Sequence, residues 1–208
     1  MNLQKNNINM DNVLILIDRF DNKDLILKIL KRFNKETKLH SIRVALIMEE
    51  YLNTFSTLSK ESKDIYILGM LLHDTGKIYV PNRILEKKGK LTEREMSIVR
   101  KHTNDGYNLL KSTNVDKIVL DTVRYHHERL NGTGYYGLKK NEIPEIGKIA
   151  AIIDVYDAIT QPRCYNKNVC TLDKAITILL GDKGLDKEYC EDFINFIVNK
   201  DRHIKKSV

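Results

Sequence analysis

The chain has 208 residues, enough for one domain with a substantial hydrophobic core. Apolar residues make up 42% and charged residues 30%, a balance that excludes a disordered or fibrous chain. The net charge of +7 suits an anionic ligand such as a nucleotide, nucleic acid or anionic lipid, although a solvated surface is the simpler reading of charge alone.

The first residues, MNLQKNNINMDN, lack the apolar run of a signal peptide. Residues 12–33 carry Leu14, Ile17, Leu25, Leu27, Ile29 and Leu30 around a break near Asp21-Asn22, which predicts two short helices. Residues 35–53 predict a third, with Leu39, Ile42, Leu46 and Leu52 on its apolar side. Ser59 is placed to cap a helix from Lys60 to about His73. That helix holds the longest uncharged apolar run, Ile65 to Leu72, far short of the roughly 20 residues of a membrane span. Pro81 and Gly89 mark an irregular connection. Thr92 and Glu95 form a capping box that opens a helix running to about Leu110. Another helix is expected over 115–127. The stretch Asn131 to Gly137 is too rich in glycine to be anything but a loop. Pro144 starts a helix through Ile159, and two or three more close the chain near Lys200. The basic cluster of Lys200, Arg202, Lys205 and Lys206 reads as a frayed end. Strand alternation, repeats and linkers are missing from the pattern, so the expected fold class is all-α and compact. Cys164, Cys170 and Cys190 show no paired spacing. They argue against a disulfide framework or a thiolate zinc site, and toward a soluble protein of the reducing cytoplasm.

Five of the six histidines fall on helices or at their ends: His40, His73, His102, His126 and His127. Only His203 stands apart. A lone histidine is usually an ordinary surface or core residue. The adjacent pairs His73-Asp74 and His126-His127 are different. The first offers a nitrogen ligand and a bridging carboxylate in one place, and the second serves one site only if the backbone bends there. Imidazole and carboxylate donors without thiolate suit iron, manganese, zinc or cobalt. Five histidines and at least two carboxylates exceed the needs of one tetrahedral zinc. Two metals about 3.5–4 Å apart, sharing a carboxylate and a bridging hydroxide, would use them for phosphoester hydrolysis.

These residues resemble the HD phosphohydrolases, and specifically the HD-GYP subfamily, in series. The series runs H-S-I-R-V at 40–44, L-L-H-D-T-G-K-I at 71–78, V-P-N-R-I-L-E-K-K-G-K-L-T at 80–92, H-T-N-D-G at 102–106, H-H-E at 126–128, N-G-T-G-Y-Y-G at 131–137 and D-V-Y-D-A-I-T at 154–160. It covers roughly residues 35–170. The resemblance implies a compact HD-domain bundle of about seven to nine helices. Residues 35–208 would form the phosphohydrolase domain, and residues 1–34 a helical extension packed on it or making a dimer contact. It implies a metal-dependent phosphodiesterase acting on a cyclic dinucleotide, typically cyclic di-GMP, with two or three divalent ions, iron or manganese. His40, His73, His102, His126, His127 and Asp154 would be terminal ligands and Asp74 the bridge. Glu36, one helical turn before His40 and about 6 Å from it, would serve a third ion, its alternative being an ordinary solvent-facing residue. Lys77 would touch the substrate phosphate and act in catalysis beside Asp74. Arg163 would bind phosphate. Glu128 and Asp157 would orient ligand histidines, with a cap or salt bridge in its own helix as the alternative for Asp157.

Several positions depart from the family pattern. The signature Gly-Tyr-Pro reads Gly134-Tyr135-Tyr136, so Tyr136 is expected to stack on a base or partly fill the base pocket. The basic residue after Arg163-Cys164-Tyr165 is displaced to Lys167, and Asn82 and Lys88 stand where the family usually has Asp and Pro. None of these is a metal ligand, so the metal site is expected intact while the substrate site, including Tyr135, Tyr136, Arg163 and Lys167, is altered. Two alternatives stay open: an HD phosphohydrolase of another nucleotide or phosphoester, and a non-catalytic cyclic-dinucleotide-binding module. No nucleic-acid polymer or membrane is expected as a partner. A homodimer or a signalling protein is.

Overall fold

The computed structural model describes residues 10–162 and 169–206. It is built from helices, and its one β-bridge, among the described residues, joins Asn131 to Lys139 across the glycine loop. Helices α1 (Met10–Ile17) and α2 (Lys23–Arg32) break at 18–22, where the sequence turns polar. Helix α3 (Lys35–Phe55) is capped by Asn34, whose side chain accepts from the Thr37 N–H, and α4 (Lys60–Leu72) by Ser59, which accepts from Ser62. A 3₁₀ turn (Thr75–Tyr79) and the single-turn α5 (Asn82–Leu85) follow. The expected capping box opens α6 (Glu93–Arg100), with the Thr92 hydroxyl and Glu95 carboxylate satisfying each other's backbone N–H groups. Thr92→Ala is expected to lower stability by about 1 kcal/mol in urea unfolding, with no change in the packing away from α6.

The helix expected to run from Thr92 to Leu110 is two helices. It breaks at Lys101, and α7 (His102–Leu110) begins anew. The cause is local: His102 Nδ1 and Thr103 Oγ1 donate back to the carbonyls of Val99 and Arg100, acceptors that an uninterrupted helix uses for its own ladder. Helices α8 (Lys117–Tyr125), α9 (Glu145–Thr160), α10 (Leu172–Gly181) and α11 (Lys187–Lys206) complete the chain. This break and the single turn of α5 bring the described residues to eleven α-helical segments, above the expected seven to nine. The last helix also outruns the expected end near Lys200. Lys200 is not frayed there but ion-paired to Glu50 of α3.

Helix α3 packs on α4, α4 on α8, α8 on α9, and α9 back on α3. Met48, Met70, Leu71, Leu72, Ile152 and Ile153 fill the space between them and are fully buried. Val13, Leu16 and Ile17 of α1 and Ile26, Ile29 and Leu30 of α2 belong to the same apolar cluster. Helix α7 and the 3₁₀ turn close one end. At the other, Phe193 of α11 lies 5.9 Å from Tyr51 of α3 and 5.2 Å from Tyr156 of α9, ring centre to ring centre. No helix among the described residues is long and apolar enough to cross a membrane.

Candidate metal centre

Five chain segments meet where α3, α4, α7, α8 and α9 converge. His40 projects from the second turn of α3, His73 ends α4, Asp74 precedes the 3₁₀ turn, His102 opens α7, His126 and His127 end α8, and Asp154 lies in α9. His40, His73, Asp74, His102 and His126 are at most 2% exposed. Asp74 stands in the middle. Its Oδ2 lies 3.3 Å from His73 Nε2 and 3.8 Å from His40 Nε2, and its Oδ1 lies 3.3 Å from His102 Nε2 and 3.9 Å from His126 Nε2. Asp154 spans the same two halves, with Oδ1 3.0 Å from His40 Nε2 and Oδ2 3.8 Å from His127 Nδ1. Donor atoms of His40, His73 and Asp74 fall within 4.8 Å of one another, and so do those of His102, His126 and His127.

The proton positions follow from the outer partners. His73 Nδ1 donates to Met70 O at 2.7 Å, His102 Nδ1 to Val99 O at 2.7 Å and His126 Nδ1 to Thr122 O at 3.0 Å. A carbonyl only accepts, so each Nδ1 carries the hydrogen and each ring turns its Nε2 inward. Burial pushes His102 down to about 4. Burial, reinforced by the neighbouring imidazoles, holds His126 well below the ordinary histidine range, and His127 is likewise lowered, against the pull of Asp154. His102 Nε2 and His126 Nε2 therefore face each other with lone pairs at 3.2 Å. Asp74 Oδ1 points into the same space and makes no hydrogen bond, although fully buried. Burial alone would raise the Asp74 carboxyl, but His73 and Lys77 overcome it and keep it ionised, well below the usual range. Two lone pairs and a buried carboxylate oxygen converging on one point are repulsive among themselves and become favourable around a cation. The residues fit a metal centre on this ground.

His40 is held differently. Burial works against its charge, but hydrogen bonds to Asp154 and Asp157 overcome this and raise it. Its Nδ1 donates to Asp157 Oδ2 at 2.7 Å. Arg43, one turn along α3, grips the same carboxylate with Nε on Oδ1 at 2.6 Å and Nη2 on Oδ2 at 2.8 Å. Asp157 thus reaches across to α3. Arg43 is a site residue that the sequence reading misses. Its spacing of three from His40 is the signal that could have found it, because that spacing puts both on one helix face. Asp157→Asn is expected to weaken metal binding about 10- to 100-fold, read by titration with Mn²⁺, because an amide offers one acceptor where His40 and Arg43 now share two, and no charge. Unchanged affinity would show that Arg43 and the helix hold His40 unaided.

Lys77 Nζ donates to Asp74 Oδ2 at 2.6 Å and lines a cavity of about 630 Å³ beside the cluster. Glu36, His40, Leu85, Leu91 and Met96 line it too. Of the described residues expected to bind substrate, only Lys77 borders this cavity. Tyr135 lies on the other side of the cluster, its ring 4.5 Å from that of His127, with the Arg100 guanidinium 5.6 Å from its centre. Tyr136 stays 36% exposed. It packs on Tyr125 and Arg124, and its hydroxyl bonds Thr103. Glu128 does not orient a histidine: its two carboxylate oxygens accept from the N–H groups of Tyr136 and Leu138, both at 2.8 Å, and tie down the loop. The expected roles of Arg163 and Lys167 fall outside the described residues.

The family described as HD domain matches residues 22–188. A cyclic di-GMP phosphodiesterase of Pseudomonas aeruginosa is 38% identical over 160 residues, covering 76% of this chain and 38% of that protein. A 3′3′-cGAMP-specific phosphodiesterase of Vibrio cholerae is 31% identical over 184 residues, covering 85% of this chain and 35% of that protein. The chain thus spans little more than a third of the length of these curated relatives, 38% and 35%. Among solved structures, an HDG"Y"P protein from Bdellovibrio bacteriovorus superposes with a TM-score of 0.65 over 92% of this chain and 59% of that one, at 17% identity, which establishes likeness of fold.

Proposed function

Because the chain belongs to the HD-domain family, and by its motif series to the HD-GYP branch, we propose that it is a metal-dependent phosphodiesterase that opens the ring of a cyclic dinucleotide, with cyclic di-GMP the first candidate. The observation that carries this reading is the single buried carboxylate of Asp74, shared between two groups of inward-facing imidazole nitrogens and lying against the Lys77 ammonium. His40, His73 and Asp74 would hold one ion, and Asp74, His102, His126 and His127 a second, with Asp154 reaching both. Glu36 is the donor available to a third. Iron and manganese suit this nitrogen and oxygen set. Bound ions would supply Lewis acidity, activating water and neutralising charge on the phosphate.

The chain's own groups account for the rest. Neutral His102, His126 and His127 present lone pairs without first releasing a proton. Asp157 and Arg43 fix the ring of His40. Lys77 borders both the cluster and the cavity, so its charge meets a phosphate oxygen entering from the cavity side. Leu85, Leu91 and Met96 give that cavity apolar walls beside the lysine. Residues 35–208 would act as the catalytic unit and residues 1–34 as its extension.

The test is direct. Protein reconstituted anaerobically with Fe²⁺, or with Mn²⁺, is incubated with cyclic di-GMP and with 3′3′-cGAMP. Linear dinucleotide is expected from at least one, and a chelator should abolish its formation. Turnover of neither cyclic dinucleotide by metal-replete protein would sink the assignment.

A further inference from the structure

The signature loop departs from its family pattern at Tyr136, and the structure gives that side chain a set of partners of its own. The loop is anchored at both edges. Gly132 and Gly137 adopt φ values of +77° and +72°, and Glu128, 3% exposed, accepts from the backbone N–H groups of Tyr136 and Leu138. At Gly134 a Cβ would meet Glu128 Cα at 2.5 Å, so the loop backbone lies directly on the residue that holds it. The Tyr136 hydroxyl lies 2.9 Å from Thr103 Oγ1. The Thr103 hydroxyl also reaches the Arg100 carbonyl at 3.3 Å, which leaves the phenol to donate. The Arg124 guanidinium sits 5.3 Å from the Tyr136 ring centre and 4.5 Å from that of Tyr107, and Tyr125 meets Tyr136 edge to face at 6.0 Å.

Two consecutive tyrosines thus have separate tasks. Tyr136 is bound to α7 and α8, while Tyr135 covers His127 at 4.5 Å and stands 6.1 Å from His102. Thr103 follows His102 directly, and Arg124 precedes His126 by two residues, so the groups that grip Tyr136 belong to the two helix ends that carry these histidines. We propose that Tyr136 is a positioning residue: gripped by Thr103 and Arg124, it fixes the loop that presses Tyr135 onto His127, and so keeps His102, His126 and His127 in register for a metal ion. A side chain with a hydrogen bond and a cation–π contact restrains the backbone where a proline ring would otherwise restrict it. The inference rests on reading this cluster as a metal centre and is independent of the substrate.

The experiment compares Tyr136→Phe, Thr103→Val and the double variant with the parent, all full length and without substrate. Two quantities are read: amide hydrogen exchange over residues 131–139, and Mn²⁺ affinity by calorimetric titration. Each single variant is expected to exchange its loop amides about fivefold faster, the factor carried by one hydrogen bond, and to bind its weaker Mn²⁺ ion about fivefold less tightly. The double variant should do no worse than either single, because both remove one bond. A tyrosine serving only overall stability would lower the melting temperature and leave both readouts at parent values, which would overturn the inference. Effects that multiply in the double variant would overturn it too. A parent that binds no Mn²⁺ at all would instead overturn the metal-centre reading, while the exchange data still report on the grip.

Discussion

Asp74→Asn is expected to lower cyclic-dinucleotide hydrolysis by about a thousandfold or more while leaving the protein folded. The carboxylate faces both sets of histidines through separate oxygens, at 3.3 Å on each side. An amide keeps the shape but gives up the charge, and one of its two ends becomes a donor where a cation must sit. The same change suits the metal-free fold. The amide N–H₂ can donate to the inward lone pairs of His102 and His126, which in the parent face each other at 3.2 Å. The melting temperature of the metal-free variant should therefore stay close to that of the parent, and its metal content should fall by at least one ion. Activity within tenfold of the parent, in fully loaded protein, would remove Asp74 from the centre of the mechanism.

Gly76→Ala should do the opposite and damage the fold first. The 3₁₀ turn crosses α7 so closely at this residue that an added Cβ would sit 1.9 Å from His102 O and 2.6 Å from Gly106 N. Neither atom belongs to a flexible side chain, so α7 must move as a body. The expected cost is about 3 kcal/mol or more in urea unfolding, with a fall in melting temperature on the order of 10 °C. Gly89→Ala is the comparison. Gly89 has φ +124° but open space around its Cβ, so backbone strain alone acts there, on the order of 1 kcal/mol. Equal costs at the two positions would mean that the crossing yields easily. Because His102 opens α7, any displacement that makes room for the added methyl also carries this histidine away from Asp74.

The helices and the ligand set are legible because each rests on a local signal. The caps at Ser59 and Thr92, the apolar spacing in α3 and α4 and the two paired motifs are all written within a few residues. Much of what surrounds the ligands is not local. Arg43 matters through Asp157, 114 residues away, and its spacing from His40 is the one local hint of it. Position in the motif assigns Glu128 to the histidines it follows, yet its acceptors are spent on a loop 8 and 10 residues on. The break at Lys101 arises from side-chain donors that compete with the helix ladder, a choice that apolar periodicity does not register. Motif position likewise aims Tyr136 at a base pocket. The structure adds contacts of its ring with Arg124 and Tyr125, which motif position does not announce.

The joining of α3 to α9 through His40 and Asp157 sets an order of events during folding. The α3–α4 hairpin closes over a short loop and can form early, bringing His40 toward His73, 33 residues apart. The partners that lock His40 in its final orientation arrive only when α9 docks, across 117 residues of chain. A nascent chain therefore presents all five imidazoles of the cluster before the carboxylates of Asp154 and Asp157 are in place. Metal capture by the complete site would therefore wait for α9 to dock.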